Sequence, residues 1–210
     1  MELKGLVITG IGTDVGKTVV SAIVAQALEM DYWKPVQAGD LDNSDTKKVA
    51  RLTHGINCLT ERYRLTVPAS PHYAAKHDEL TISPNDFQLP STDRPLLIEG
   101  AGGVLVPFND QGFVFADLML QWKFPVIVVS RHYLGSINHT LLTLEVLKSR
   151  KINVAGIVFV GDENSATESI ILLNSGVRFI ARIPLADEVN QQFIQEQAQR
   201  IASTLKVIFS

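Results

Sequence analysis

Gly10-Ile11-Gly12-Thr13-Asp14-Val15-Gly16-Lys17-Thr18 follows the apolar run Leu6–Thr9 and precedes a helical pattern over residues 17–29. A glycine-rich loop between a strand and a helix turns successive backbone N–H groups into one concavity. The helix N-terminus adds partial positive charge, and together they make a cradle for phosphate. In such a loop Lys17 reaches the terminal phosphates and the Thr18 hydroxyl meets magnesium. The spacing departs from the common form, because five residues separate Gly10 from Gly16 where about four are usual. The loop is therefore lengthened, with Gly12 and Asp14 inside it. Strand, loop, Gly16-Lys17-Thr18 and helix coincide here, so nucleotide binding is the expectation, against an ordinary glycine-rich turn.

Outward from this loop, short apolar runs alternate with helical patterns. The runs are Leu6–Thr9, Tyr32–Val36, Pro95–Ile98, Pro125–Val129, Val154–Val160 and Phe179–Ile183; helices are predicted over 17–29, 44–54, 115–123, 136–149, 165–174 and 190–205. Most runs are apolar at successive positions, the pattern of strands covered on both faces. The alternation predicts an α/β fold: a single-domain, doubly wound, mostly parallel sheet with helices on both faces, over residues 1–210. The stretch from about 61 to 95 is the least legible. It carries five of the nine prolines and only short helical possibilities.

Composition narrows the function classes. Hydrophobic residues make up 46% and charged residues 20% of 210, which excludes a disordered or collagenous chain. The net charge of −3 offers no global field for nucleic acid or an anionic membrane. No apolar stretch approaches the ~20 residues that span a bilayer, and the N-terminus lacks a signal-peptide core. A soluble, cytoplasmic protein is expected, with no nucleic-acid or membrane partner. One cysteine, Cys58, excludes an intramolecular disulfide and any multi-cysteine metal site, and reads as a small, partly buried apolar residue.

Three further residues accompany the loop. Glu99 follows the strand Pro95–Ile98 and precedes Gly100-Ala101-Gly102-Gly103, a carboxylate where doubly wound sheets place their ligands. It reads as a magnesium ligand or as a turn acid. Asp45, after Asn43-Ser44, reads first as a first-turn acid favoured by the helix dipole. Lys34, in Trp33-Lys34-Pro35-Val36-Gln37-Ala38-Gly39, ends an apolar strand. It is either paired with a buried anion or snorkels to the surface.

Taken together, the motifs resemble the dethiobiotin synthetase family, within the P-loop NTPases. The segments are Gly10–Thr18, Lys34-Pro-Val-Gln-Ala-Gly39, Asn43-Ser-Asp45, Ser70-Pro-His72, Glu99-Gly-Ala-Gly-Gly103, Gly135-Ser-Ile-Asn-His139 and Ile183-Pro184, in the family's order over almost the whole chain. The resemblance implies ring closure of 7,8-diaminononanoate with CO2, ATP and Mg2+ to dethiobiotin. The steps are a carbamate, its phosphorylation to a carbamic–phosphoric anhydride, and attack by the second amine. It implies ATP binding by Thr13, Asp14, Val15, Gly16, Lys17, Thr18, Asp45, Glu99, Gly100, Ala101, Gly102 and Pro184. Magnesium would fall to Thr18, Asp45 and Glu99, catalysis to Lys34 and Lys17, and substrate contact to Lys34, Ala38, Gly135, Ser136 and Asn138. The Gly135–Asn138 turn resembles the segment that caps the substrate carboxylate across a homodimer interface. Read blandly, Ser136 is a helix N-cap and Asn138 a first-turn residue.

Two positions depart from the family pattern. Ala38 stands where Ser or Thr is frequent, and Val160 where an adenine-reading Asn is usual, so looser nucleotide discrimination is expected. His54, His77, His132 and His139 show no metal-ligand spacing; His72 fits a turn as well as a substrate contact. Arg131 and His132 follow the strand from Pro125 to Ser130 and are candidates to approach the phosphates. The competing functions are a non-catalytic nucleotide-binding regulatory module of the same fold and a partner-switching ATPase of the chromosome-partitioning kind. The latter carries an extra lysine early in the loop, where this chain has Gly12.

Overall fold

The computed structural model describes residues 3–209. In chain order the elements are β1 (Gly5–Gly10), α1 (Lys17–Leu28), β2 (Asp31–Trp33), β3 (Val36–Ala38), α2 (Asp45–Leu52), β4 (Cys58–Leu59), β5 (Tyr63–Leu65), α3 (Pro71–His77), β6 (Leu96–Gly103), α4 (Phe115–Trp122), β7 (Val126–Arg131), α5 (Ser136–Ser149), β8 (Val154–Val160), α6 (Ser165–Ser175), β9 (Phe179–Ile183) and α7 (Gln191–Phe209). Seven strands form one sheet in the order β4-β2-β6-β1-β7-β8-β9, and each of its ladders is parallel.

Consecutive apolar residues divide between two cores. In β1, Leu6 and Ile8 face one cluster and Val7 the other; in β7, Ile127 and Val129 oppose Val126 and Val128; in β8, Val158 and Val160 oppose Ile157 and Phe159. One core is closed by Val20 and Ile23 of α1, Val49 of α2 and Ile194, Ile201 and Leu205 of α7. The other is closed by Ala74 of α3, Leu118 and Met119 of α4, Leu144 and Leu147 of α5 and Ile171 of α6. Each fully buried aliphatic side chain contributes about 1.5–3 kcal/mol. The doubly wound, helix-covered sheet is thus as expected. No helix among the described residues is long and apolar enough to cross a membrane.

Two expected boundaries are corrected. The run Tyr32–Val36 is not one strand. Proline lacks the N–H a ladder needs, and at Lys34-Pro35 the chain leaves the main sheet. It resumes as β3, which pairs with β5 in a separate two-stranded parallel sheet. Conversely, Glu99–Gly103 continues β6 where a loop is expected after the strand. A register shift between Ile8 and Gly10 lets Gly10 pair with Gly103.

The stretch from 61 to 95 is organised by aromatic packing. Tyr63, Phe87, Phe108, Phe115, Trp122 and Trp33 form a chain with successive ring centroids 5.5–6.3 Å apart. Such pairs add about 0.5–1.5 kcal/mol each beyond burial. Trp122 Nε1 donates to Phe87 O at 3.2 Å and Trp33 Nε1 to Thr60 O at 3.1 Å, so the indoles also fix the backbone. Cys58 is half-buried, and burial, aided by Asp31, pushes its thiol up to about 11, which favours the protonated form.

At the carboxyl ends of β7 and β9, Glu168 joins three elements. Arg182 donates to both carboxylate oxygens at 2.7 and 2.8 Å, and His132 Nε2 lies 3.0 Å from Oε1. Burial raises the Glu168 carboxyl, but the hydrogen bonds from Arg182 and His132 outweigh it and hold it below its ordinary value. A carboxylate lowered by folding stabilises above its unfolded pKa, and that contribution is lost as pH falls through the folded one. Glu168→Gln is expected to cost about 1–3 kcal/mol near neutral pH. Urea unfolding of both proteins at falling pH should show the gap closing through the carboxylate range.

Candidate active site

The phosphate loop rests on buried chain. Val15 is 2% exposed, and Gly16, with φ of 92°, starts α1 in a left-handed conformation that only glycine takes without strain. A Cβ there would also press on Val160 at 3.3 Å. Lys17 folds back so that Nζ donates to Gly12 O at 2.7 Å. Burial lowers its ammonium, Lys34 lowers it further, and together they bring it to about 8.

Lys34 leaves the end of β2 at the chain's crossing to β3. Its Nζ donates to Asp45 Oδ2 at 2.5 Å and to Glu99 Oε1 at 3.0 Å, and the side chain is 6% exposed. It is therefore the buried ion-paired lysine and not a snorkelling one. Burial pulls the ammonium down, but Glu99 and then Asp45 more than offset this, and its pKa lies above the ordinary lysine value. Asp45 opens α2 as expected of a first-turn acid, with the added role of partner. Burial raises its carboxyl, Lys34 and Lys48 lower it, and the net shift is downward. Its backbone N–H donates to Gln37 Oε1 at 3.1 Å, which orients the start of the helix.

Glu99 sits in β6 with a fully buried side chain. Thr18 Oγ1 donates to its Oε1 at 2.9 Å and the Tyr32 hydroxyl to its Oε2 at 2.9 Å. Tyr32 is fully buried; burial and then the charge of Glu99 push its hydroxyl well above the ordinary range, so it acts as a donor. Sequence reasoning missed Tyr32, Gln37 and Lys48. The available signal for Tyr32 was strand period: it stands two residues before Lys34, and alternate strand residues share a face.

Lys34, Gln37, Lys48 and the two carboxylates line a cavity of about 740 Å³, with Tyr32 behind it. Thr13, Asp14, Gly16, Lys17, Thr18, Lys34, Ala38, Asp45, Glu99, Ala101, Gly102 and Pro184 all contribute to its wall. Val15, within the loop, is buried, and Gly100 is buried where a Cβ would run into Phe115; neither lines the cavity. Gly135, Ser136 and Asn138 are elsewhere, in a hollow with His132, Tyr133 and Leu134. A larger groove of about 1090 Å³ at the amino ends of β7 and β8 holds only Asn138 of the expected residues. Arg131 lines the active cavity, donating to Asp14 O at 3.3 Å, whereas His132 is engaged by Glu168. His72 pairs with Ser70 at 2.9 Å, a turn contact.

Among the described residues, no group of three or more His, Cys, Asp or Glu is placed to hold a metal alone. The donors available, Thr18, Asp45 and Glu99, are hard oxygens of the kind that complete a magnesium shell already supplied by phosphates.

The chain matches the protein family described as an AAA domain over residues 4–192. It is 48% identical over 204 residues to the ATP-dependent dethiobiotin synthetase of Christiangramia forsetii, covering 96% of this chain and 98% of that one. With the enzyme of the same name from Afipia carboxidovorans it shares 50% identity over 183 residues, 85% of this chain and 86% of that one. The chain belongs to the dethiobiotin synthetase family. Among solved structures, a plasmid partition protein of Borrelia burgdorferi B31 bound to AMPPNP superposes with a TM-score of 0.58 at 10% identity, over 99% of this chain and 98% of that one. A ParA family ATPase from Chlorobium tepidum gives 0.54 at 15% identity, over 97% and 92%. At those identities the likeness is one of fold.

The Lys34 pairing sets a stability prediction. Removing one partner of a buried ion pair leaves the others uncompensated and costs about 3–5 kcal/mol. Lys34→Met is expected to lose that much in denaturant unfolding, and Lys34→Met combined with Glu99→Gln to recover part of it.

Proposed function

We propose that this protein is a cytoplasmic, homodimeric ATP-dependent dethiobiotin synthetase, which closes the ureido ring of dethiobiotin from 7,8-diaminononanoate and CO2. The observation that carries the reading is the Lys34 ammonium, buried between Asp45 and Glu99 in the same cavity as the phosphate loop. The kinship with the synthetases supplies the chemistry it would serve.

One amine of the substrate adds to CO2 and loses a proton, giving a carbamate. A carbamate oxygen takes the γ-phosphoryl group of ATP, releasing ADP. The second amine attacks the carbonyl carbon, expels phosphate and closes the ring. Carbamate and triphosphate are both anions, so the protein's main task is to place cations between them and to position them in line. Lys34 holds the carbamate and the incoming phosphoryl group; Lys17 and the backbone amides of residues 13–18 hold the triphosphate. Magnesium, held by Thr18, Asp45 and Glu99, would neutralise phosphate charge. Ring closure needs no activated nucleophile, because the second amine is tethered to the anhydride it attacks.

Gly135, Ser136 and Asn138 serve the carboxylate of the substrate in a partner copy's cavity. Their place outside this cavity, beside the exposed Tyr133, Leu134 and Ile137, supports that assignment. The base of the nucleotide lies against the ends of β8 and β9 and the start of α7, where Val160, Ile183, Leu185, Val189 and Phe193 line the cavity. These side chains offer contact area and no hydrogen bond. Ala38 likewise offers none to the carbamate.

Phosphate release from ATP with bicarbonate and magnesium is expected to depend on 7,8-diaminononanoate and to match dethiobiotin by mass spectrometry. Lys34→Ala should lower kcat by about 10²–10³ while nucleotide binding persists. Nucleotide binding without product in the unmodified protein would instead establish the regulatory-module reading. A second assay addresses the base: CTP and GTP should support turnover within about tenfold of ATP. Val160→Asn, which adds one hydrogen-bonding group, should favour ATP by about a further tenfold.

A further inference from the structure

Glu99 is gripped unequally. Its Oε1 receives Thr18 Oγ1 at 2.9 Å and Lys34 Nζ at 3.0 Å, whereas Oε2 faces the Tyr32 hydroxyl at 2.9 Å. Tyr32 pairs in register with Leu97 on the neighbouring strand, and Glu99 lies two residues further along. Tyr32 and Lys34 are themselves two residues apart, so the same side of one chain segment supplies a hydroxyl to one oxygen and an ammonium to the other.

Packing does not account for the hydroxyl. Tyr32 is 0% exposed and belongs to the same apolar cluster as Leu6, Ile8, Val20, Val49 and Leu97. A phenylalanine would fill that space without desolvating a polar group. The carboxyl torsion of a glutamate is broad and roughly two-fold, so a Glu99 held only through Oε1 is free to swing.

We propose that Tyr32 is a positioning residue for the metal step: it anchors Glu99 Oε2, so that Oε1 alone is presented to the magnesium that arrives with the nucleotide. The proposal rests on the reading of Glu99 as a metal ligand given above. Groups that hold a ligating carboxylate in place typically contribute about 10–100-fold in metal affinity.

The test uses the full chain with Mn2+ as probe and AMPPNP as nucleotide, free Mn2+ being counted by electron paramagnetic resonance. Tyr32→Phe, which keeps the ring, is expected to raise the Mn2+ dissociation constant about tenfold or more. Binding of AMPPNP in excess chelator should stay unchanged, a readout that general damage to the fold would move. Glu99→Gln should weaken Mn2+ at least as much, and adding Tyr32→Phe to it should cost nothing further. If Tyr32→Phe lowers thermal stability but leaves Mn2+ affinity intact while Glu99→Gln weakens it, Tyr32 is a core residue only and the proposal is overturned. If Glu99→Gln itself leaves Mn2+ affinity intact, the metal reading of Glu99 fails and takes the proposal with it.

Discussion

A buried ammonium is unfavourable in a protein interior unless charge meets it at close range, and the carboxyl end of this sheet is arranged to meet the one on Lys34. Three separate pieces of chain converge there: the break after β2, the first residue of α2 and the middle of β6. Removing any one leaves charge uncompensated in a nearly dry place. The position of Asp45 is in turn secured by Gln37, and that of Glu99 by Tyr32 and Thr18. The ion pairs therefore act as a registration device. They tie the start of α2 and the end of β2 to β6.

The backbone makes room for this arrangement by two local irregularities. Pro35 ends the ladder of β2, which frees the chain to cross over the sheet and lets Lys34 point inward instead of out to solvent. The shift of register between β1 and β6 carries the glycine run of β6 alongside the phosphate loop, pairing Gly10 with Gly103. A built Cβ on Gly103 would lie 3.7 Å from Gly10 O, while one on Gly102 would meet Val106 at 2.6 Å. Of the two, only Gly102, with a φ of 68° and no room beside Val106, requires glycine; Gly103 would tolerate a Cβ.

Much of this was legible in the amino-acid sequence because the physics is local. Leu6–Thr9, the glycine loop and the α1 pattern lie within about one βα unit, and consecutive apolar residues in β7 and β8 report coverage on both faces. The failures have a different origin. Tyr32–Val36 looks continuous because its residues are apolar, and the proline's effect depends on which sheet the chain joins next. Residues 61 to 95 owe their order to a ring-to-ring chain that reaches Trp33, Phe108 and Trp122, contacts separated by tens of positions that no window contains. Lys34 and Asp45 each admit two readings because their pairing spans 11 residues and the second partner of the lysine, Glu99, lies 65 residues away, separations set by the tertiary fold and not by local pattern.

The fold by itself does not choose among nucleotide-dependent activities. It is shared with partition ATPases at 10–15% identity, and a fold hosts many functions. The choice lies in which cations enter the site. A lysine early in the loop would suit a switch between partners, but this chain has Gly12, where a Cβ meets nothing within 4 Å. Space for a larger side chain exists, so packing does not dictate glycine there. Lys17 instead uses the Gly12 carbonyl as its resting partner. The second cation comes from Lys34, which lines the same cavity from the end of β2 and shares Glu99 Oε1 with Thr18. Two lysines lining one cavity suit a second anion brought up to the triphosphate, which a hydrolytic switch does not require and a carboxylated substrate does.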